Sequence, residues 1–502
     1  MKLRRNLVAA LTNSLWSAAV GIAVVPVYLK YLGVEAYGLV GFFTMMQALL
    51  QILDFGLAPT LNREAARYSA SSNLCAIANL LHTVGRVYWS VALLIGLLVV
   101  LTAPFVAQFW LQPKDLGNAT VVQALMLMGV IVACRWPIGL YAGVLMGAQR
   151  LTLASGISIL MTTVGNLGAV AILVCVSPTI QAFFIWQAFA AVIYIVVVRS
   201  VAWRVVGFAG RARFDRQELK RIWRFTAGLS GVAVTALVIV HLDRLILSRL
   251  LDLESFGRYM MGALIASSLY FLLTPVFNAV YPRLSALVAM GETAKVIELY
   301  RHGTRLMLSI LFPVATTAAV LAEELIVVWT GDAALAKYVA PIASFFLIGV
   351  ALNGVMHFPY ALQLAYGMTR LPLMINLLLI LFLAPLTVLL ALRYGGVGGA
   401  AAAAIINAVY VLLGTWLTHR VILRDIGARW LFEDVGIPLG ISILVIGGGL
   451  HIARGNPSSV GSNIFIGSAL AFVAFFAILV ASPNLSGALR KYIISKPDSV
   501  LS

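Results

Sequence analysis

Lys30-Tyr31-Leu32-Gly33-Val34-Glu35-Ala36-Tyr37-Gly38 returns, 219 residues on, as Arg249-Leu250-Leu251-Asp252-Leu253-Glu254-Ser255-Phe256-Gly257. A basic residue, a leucine, a glutamate and a glycine keep their places, and Tyr37 is matched by Phe256. A second echo lies at offset 220: Gly147, Arg150, Leu151 and Leu153 reappear as Gly367, Arg370, Leu371 and Leu373. Two echoes at nearly one offset mark an internal duplication, the first feature to seek in a long chain.

Each echo follows an apolar run. A membrane-spanning helix needs roughly 20 mainly apolar residues. Fourteen stretches qualify: 7–29, 36–58, 87–109, 119–146, 154–175, 179–200, 226–248, 256–282, 304–325, 338–363, 371–392, 397–419, 435–453 and 462–482. The repeat offset equals six of them. An even number leaves both copies in the same orientation, so two parallel six-helix lobes are expected around a central cleft. The expected organisation is residues 1–200 as the first lobe, 201–225 as a basic cytoplasmic linker, 226–420 as the second lobe, and 421–502 as two additional helices with a cytoplasmic tail. The glycine cluster Gly395-Gly396-Val397-Gly398-Gly399 is read as a tight turn between two spans, since no strand precedes it as a dinucleotide fingerprint requires.

Composition agrees. Of 502 residues, 62% are hydrophobic and 11% charged, against about 45–50% and about 25% in soluble domains. Mean hydropathy is +1.00. These values exclude an ordinary soluble enzyme and a disordered chain. The formal charge of +17 is read as cytoplasmic-loop bias and not as nucleic-acid binding. With the N-terminus inside, cytoplasmic segments carry 26 Lys and Arg and outer loops carry 7, so both termini are expected in the cytoplasm. The densest inner cluster, Arg199, Arg204, Arg211, Arg213, Arg216, Lys220, Arg221 and Arg224, suits anionic lipid headgroups. The apolar run behind Met1-Lys2-Leu3-Arg4-Arg5 is long enough to span and reads as a retained helix. Cys75, Cys134 and Cys175 match neither a metal spacing nor a disulfide framework.

Polar residues at helical spacing mark the faces that avoid lipid. Span two carries Thr44, Gln47, Gln51 and Asp54; span five Ser158, Thr162 and Asn166; span eight Ser267, Tyr270, Thr274 and Asn278; span ten Asn353, His357 and Tyr360. Span one adds Asn13 and Ser17. Helix–helix hydrogen bonding uses the same residue types. Arg135 lies deep in span four, where a guanidinium costs at least about 2.5–3.5 kcal/mol and requires water, a partner or an anion. Span seven ends His241-Leu242-Asp243-Arg244, with Arg244 close enough to the outer end to snorkel. Two arginines and two histidines suit an anionic substrate, and guanidinium forks match phosphate. Carboxylates in such a site suit a coupling proton or sodium ion.

Pro26-Val27-Tyr28-Leu29-x-Tyr31-Leu32-Gly33-x-Glu35-x-Tyr37-Gly38, then Leu53-Asp54-Phe55-Gly56-Leu57-Ala58-Pro59-Thr60 with Arg63 and Ala66, resemble the opening of bacterial O-antigen flippases. Leu242-Asp243-Arg244-x-x-Leu247-Ser248, followed by Gly257-x-Tyr259, resembles the start of that family's second half. These are polysaccharide transporters of the multidrug/oligosaccharidyl-lipid/polysaccharide superfamily. The resemblance implies an all-α inner-membrane carrier that moves undecaprenyl-pyrophosphate-linked oligosaccharide from the cytoplasmic to the periplasmic leaflet by alternating access. It implies no enzyme activity and no cofactor beyond a proton or sodium gradient. Its partners would be membrane lipids, a polysaccharide polymerase and a chain-length regulator, and no nucleic acid. On this reading Arg135 and Arg244, with His241, hold the pyrophosphate. Gln47, Gln51, Asn166, Asn278, Asn353 and His357 face sugar, and Asp54 and Asp243 couple or gate. The alternatives are a peptidoglycan-precursor flippase, a multidrug antiporter, and, in another class, a membrane glycan polymerase or glycosyltransferase. Short loops and the lack of a nucleophile or metal constellation argue against the last.

Overall fold

The computed structural model describes residues 2–54, 57–70, 74–207, 214–424, 426–453 and 459–481. Phe55 and Gly56 of the second motif, Arg211 and Arg213 of the basic linker, and the tail after Ala481 lie outside the described residues. Every element among the described residues is helical. Eleven helices among the described residues are long and apolar enough to cross a membrane.

The difference from the expected fourteen has three sources. The apolar part of the first helix, Val8–Ala23, is short by itself. The 35-residue helix Arg216–Leu250, which holds the seventh expected span, is not among the eleven. Expected spans 371–392 and 397–419 run together as one of the eleven, Arg370–Val421, because two helices adjoin there without a loop and part at Gly395, where φ is +59°. A side chain on Gly398 would collide with the Leu390 carbonyl, eight residues back, so the chain folds back at the glycine cluster, the tight turn expected between two spans.

The first expected crossing survives in another form. Val24 donates to the Val20 carbonyl at 3.1 Å and accepts from Tyr28 at 3.0 Å. The helical path therefore continues past Val24. It turns at Gly33, whose φ of +80° is a left-handed conformation that a side chain disfavours. The glycine of the first motif is the hinge of the segment Val25–Leu50.

By internal contacts the chain divides into two compact units, Met1–Met260 and Met261–Ser502. In the first, a core of Leu61, Leu80, Leu81, Val84, Tyr88, Leu140, Val144 and Ile195 is closed on several helices. Leu93, Leu97 and Leu101 sit four residues apart on one face of helix 74–105 and are exposed. That face meets lipid, where outward leucine costs nothing.

The two copies of the opening motif pack on each other within this unit. A side chain on Gly257 would press on the Val34 carbonyl and lie 3.1 Å from the Gly38 nitrogen, and one on Gly38 would collide with the Leu253 carbonyl. Loop 111–117 ties the two turns together. Glu35 is buried and accepts the backbone N–H groups of Lys114, Asp115 and Leu116 at 2.5, 2.9 and 3.2 Å. The same loop accepts the Leu253 N–H at Gln112 (3.1 Å), and Lys114 pairs with Asp252 at 3.1 Å. The repeated motif therefore encodes a packed junction, with the first copy's glutamate as its acceptor.

In the second unit, helix Thr293–Val320 carries the last two helices. Leu321 packs with Ile446, Leu450 and Ala474. At the other end of that helix, Arg301 Nε donates to Asp434 at 2.7 Å and its Nη2 to Glu433 at 2.6 Å, while Arg305 also donates to Asp434. Asp434 is fully buried, so these guanidinium groups are what allow its charge to be there.

Candidate functional site

Arg135 closes helix Asn118–Arg135, because Pro137 begins the next one, Ile138–Gly147. A proline has no N–H to continue the ladder. The break leaves a helix C-terminus inside an apolar stretch, and that terminus favours a cation. Trp136 fixes the break: its indole donates to the Leu50 carbonyl at 3.2 Å and its ring stacks on Tyr88 at 4.6 Å. Tyr88 in turn donates its hydroxyl to Asp54.

The guanidinium is held by neutral groups. Nη2 donates to Gln187 Oε1 at 2.7 Å and Nη1 to Gln47 Oε1 at 3.3 Å. The Phe43 ring lies 5.6 Å away, a cation–π distance. Gln187 is buried, and its own amide nitrogen donates to the Gly165 carbonyl at 3.3 Å. That bond sets the amide so that its oxygen faces the arginine. No carboxylate among the described residues pairs with Arg135. Its positive charge is solvated by amides without being neutralised.

Arg135 opens into a cavity of ≈ 730 Å³ within the first unit. Gln47, Gln51, Asp54, Thr162, Asn166 and Tyr194 line it with Arg135. Asn166 is oriented from both sides. Its Nδ2 donates to the Thr162 carbonyl at 3.0 Å, and Tyr28 of the opening motif donates to its backbone oxygen at 3.3 Å. Five of the residues read from sequence, Gln47, Gln51, Asp54, Arg135 and Asn166, thus share one chamber. Gln187, Tyr194 and Phe43 belong to the site but not to the polar stripes. The rarity of glutamine in an apolar run is the one signal that could have found Gln187.

His241, Asp243 and Arg244 do not line this chamber. Leu237 is the residue of their helix that does, and Arg244 lies about 10 Å further along the axis. Arg244 Nη1 meets His241 Nδ1 at 3.4 Å, and Tyr259 donates to Asp243 at 2.5 Å. Asp243 Oδ1 and Arg244 Nε, both buried, have no hydrogen-bond partner among the described residues.

The remaining expected residues lie in the second unit. Asn353 donates to Asn407 at 3.0 Å, the helix-to-helix pairing that such stripes also serve. His357 Nδ1 meets the Asn353 carbonyl at 3.3 Å. Asn278 is exposed on helix Tyr270–Ala289. Among the described residues no group of His, Cys, Asp and Glu is arranged to hold a metal ion.

The fold has solved counterparts. The lipid II flippase MurJ in an inward closed conformation is 12% identical, superposes with a TM-score of 0.72, and is matched over 96% of this chain and 99% of its own. An inward-facing multidrug resistance transporter of the MATE family gives 13% identity and a TM-score of 0.62, over 82% of this chain and 98% of its own. A Vibrio cholerae MATE transporter gives 16% identity and 0.55, over 84% and 98%. No curated protein sequence matches the chain. Its class is therefore a multi-pass helical membrane protein with the fold of the MOP superfamily of transporters. Within that class the chain belongs to the polysaccharide biosynthesis protein family, whose profile matches residues 30–340.

Proposed function

We propose that this protein is a flippase that carries undecaprenyl-pyrophosphate-linked oligosaccharide from the cytoplasmic to the periplasmic leaflet by alternating access. The single observation behind it is Arg135: a guanidinium without an acid partner, held by Gln47 and Gln187, open to a polar chamber. Such a group attracts a dianionic pyrophosphate, and the low dielectric around it strengthens the attraction. Gln47, Gln51 and Asn166 then offer hydrogen bonds to the first sugar. The family and the transporter fold support the same reading.

On this account the protein is a carrier and not an enzyme. Residues 1–200 and 226–420 form its two lobes, with 201–225 as linker and both termini in the cytoplasm of the inner membrane. Asp54 and Asp243 take part in coupling to a proton or sodium gradient, and Arg244 with His241 form a second phosphate station further along the path. Asn278, Asn353 and His357 serve the glycan. A polysaccharide polymerase and a chain-length regulator would receive the product.

The direct test uses proteoliposomes loaded with undecaprenyl-pyrophosphate-linked oligosaccharide. Its sugars are oxidised by an impermeant reagent from outside. Complete oxidation with the protein, and about half without it, supports the flippase. Equal half-oxidation in both contradicts it.

A further inference from the structure

Helix Tyr270–Ala289 presents Thr274 and Asn278 on one exposed face, and Phe277 and Tyr281 continue it. Two rings lie nearly parallel to that of Phe277. Tyr281 is 5.7 Å away at 9°, and Tyr360, from helix His357–Ala365, is 6.1 Å away at 19°. His357 meets Phe277 edge-on at 6.0 Å and 84°. The stack is thus built from two helices and held square by the imidazole.

The polar groups around it are unused. The Asn278 carboxamide and the hydroxyls of Tyr281 and Tyr360 make no hydrogen bond among the described residues. An unpaired carboxamide is costly against hydrocarbon, so this face of a spanning helix meets water or a polar ligand. None of these groups carries a fixed charge, in contrast to Arg135. Flat aromatic faces with an electron-rich centre suit the polarised C–H bonds of a pyranose ring, and amide and phenol groups at the rim suit its hydroxyls.

We propose that Phe277, Tyr281 and Tyr360, rimmed by Asn278, form a stacking site for an uncharged hexopyranose of the glycan. The assignment rests on the carrier reading above and specifies which part of such a substrate this face takes. Asn278 donates to and accepts from ring hydroxyls, while the two tyrosines supply both a plane and a hydroxyl. The site offers no fixed positive charge to an acidic sugar.

Saturation-transfer NMR on the purified full-length protein tests the site, with methyl β-glucopyranoside, methyl β-galactopyranoside and methyl α-mannopyranoside as probes. Irradiating aromatic protons of the wild type is expected to transfer saturation to the C–H protons of at least one pyranoside. The double variant Tyr281→Leu/Tyr360→Leu is expected to bind that sugar roughly 3- to 10-fold more weakly, the range of one aromatic contact. Tyr360→Phe keeps the plane and is expected to stay within about threefold, which guards against misfolding as the cause. No transfer in the wild type, or equal transfer in the double variant, overturns the site. The leaflet assay separates this from the parent reading. A double variant that flips lipid-linked glycan at the wild-type rate overturns the stacking site and leaves the carrier standing. Wild-type protein that fails to flip, yet loses sugar contact on Tyr281→Leu/Tyr360→Leu, keeps the sugar site and ends the carrier reading.

Discussion

Replacing Glu35 by alanine is expected to release loop 111–117. Glu35 takes three backbone N–H groups at 2.5, 2.9 and 3.2 Å from three consecutive residues, Lys114, Asp115 and Leu116. A hydrogen bond to a charged acceptor contributes about 1.5–3 kcal/mol, so three would sum to roughly 4.5–9 if independent. They are not independent, because one carboxylate serves all three, and residues 114 and 115 are exposed, so water replaces part of what is lost. About 2–4 kcal/mol is the reasonable net loss. Hydrogen exchange of the loop amides, followed by mass spectrometry in detergent, reads this local opening directly. At a factor of ten per 1.4 kcal/mol, exchange at residues 114–116 is expected to accelerate about 30- to 700-fold, with core helices such as Asn118–Arg135 unchanged. Glu35→Gln keeps one acceptor oxygen and is expected to fall between. Exchange within threefold of wild type in Glu35→Ala would refute the view that this carboxylate organises the junction of the two motif copies.

Three further outcomes follow from the same geometry. Gln187→Leu removes the shorter of two acceptors on Arg135 and leaves a half-buried guanidinium under-solvated; a cost of about 1.5–3 kcal/mol is expected, seen as a lowered midpoint in thermal unfolding, and added pyrophosphate should recover part of it. Asp434→Asn leaves Arg301 and Arg305 without their buried carboxylate, and about 3–5 kcal/mol is expected to be lost, with cleavage by added protease between the last two helices and the body as the readout. Burial opposes the charge of Asp252, but the Ser255 amide and the Lys114 ammonium outweigh it and hold this carboxyl below its ordinary value. A depressed folded value means the carboxylate contributes stability above its unfolded pKa and loses it as pH falls through the folded one; loop 111–117 is therefore expected to exchange faster below about pH 4, and Asp252→Asn should remove that pH step.

Much of this was legible because membrane helices obey a simple rule: faces that avoid lipid carry polar residues with period 3.6. That rule put Gln47, Gln51 and Asp54 on one face and Asn166 on another, and the depth of Arg135 singled it out. The duplicated motif was legible as a repeat, but the packing of Gly38 on Gly257 is seen only in the structure. What spacing cannot supply is the neighbour that a face meets. His241 and Arg244 share a face, yet that face lies beyond the chamber and Arg244 turns to His241 itself. Asn353 has a partner 54 residues away at Asn407, in another segment of the sequence. Gln187 stands alone in an apolar run, and its role depends on a carbonyl at Gly165 that no periodicity reveals. The aromatic stack joins two helices whose rings become parallel only once packed. The helix count differs for a local reason: at Gly395 two helices adjoin without an intervening loop, so two expected spans run together although the backbone leaves the helical conformation between them.

The central claim is that Arg135 serves a translocated anion. The measurement that tests it most directly is the leaflet exposure of lipid-linked oligosaccharide in cells lacking this protein, read with a membrane-impermeant probe. The account predicts accumulation facing the cytoplasm, rescue by the intact chain, and loss of rescue by Arg135→Ala although that variant is made and inserted at normal levels. Rescue by Arg135→Ala equal to wild type would contradict the anion site, and normal exposure without the protein would contradict the flippase itself.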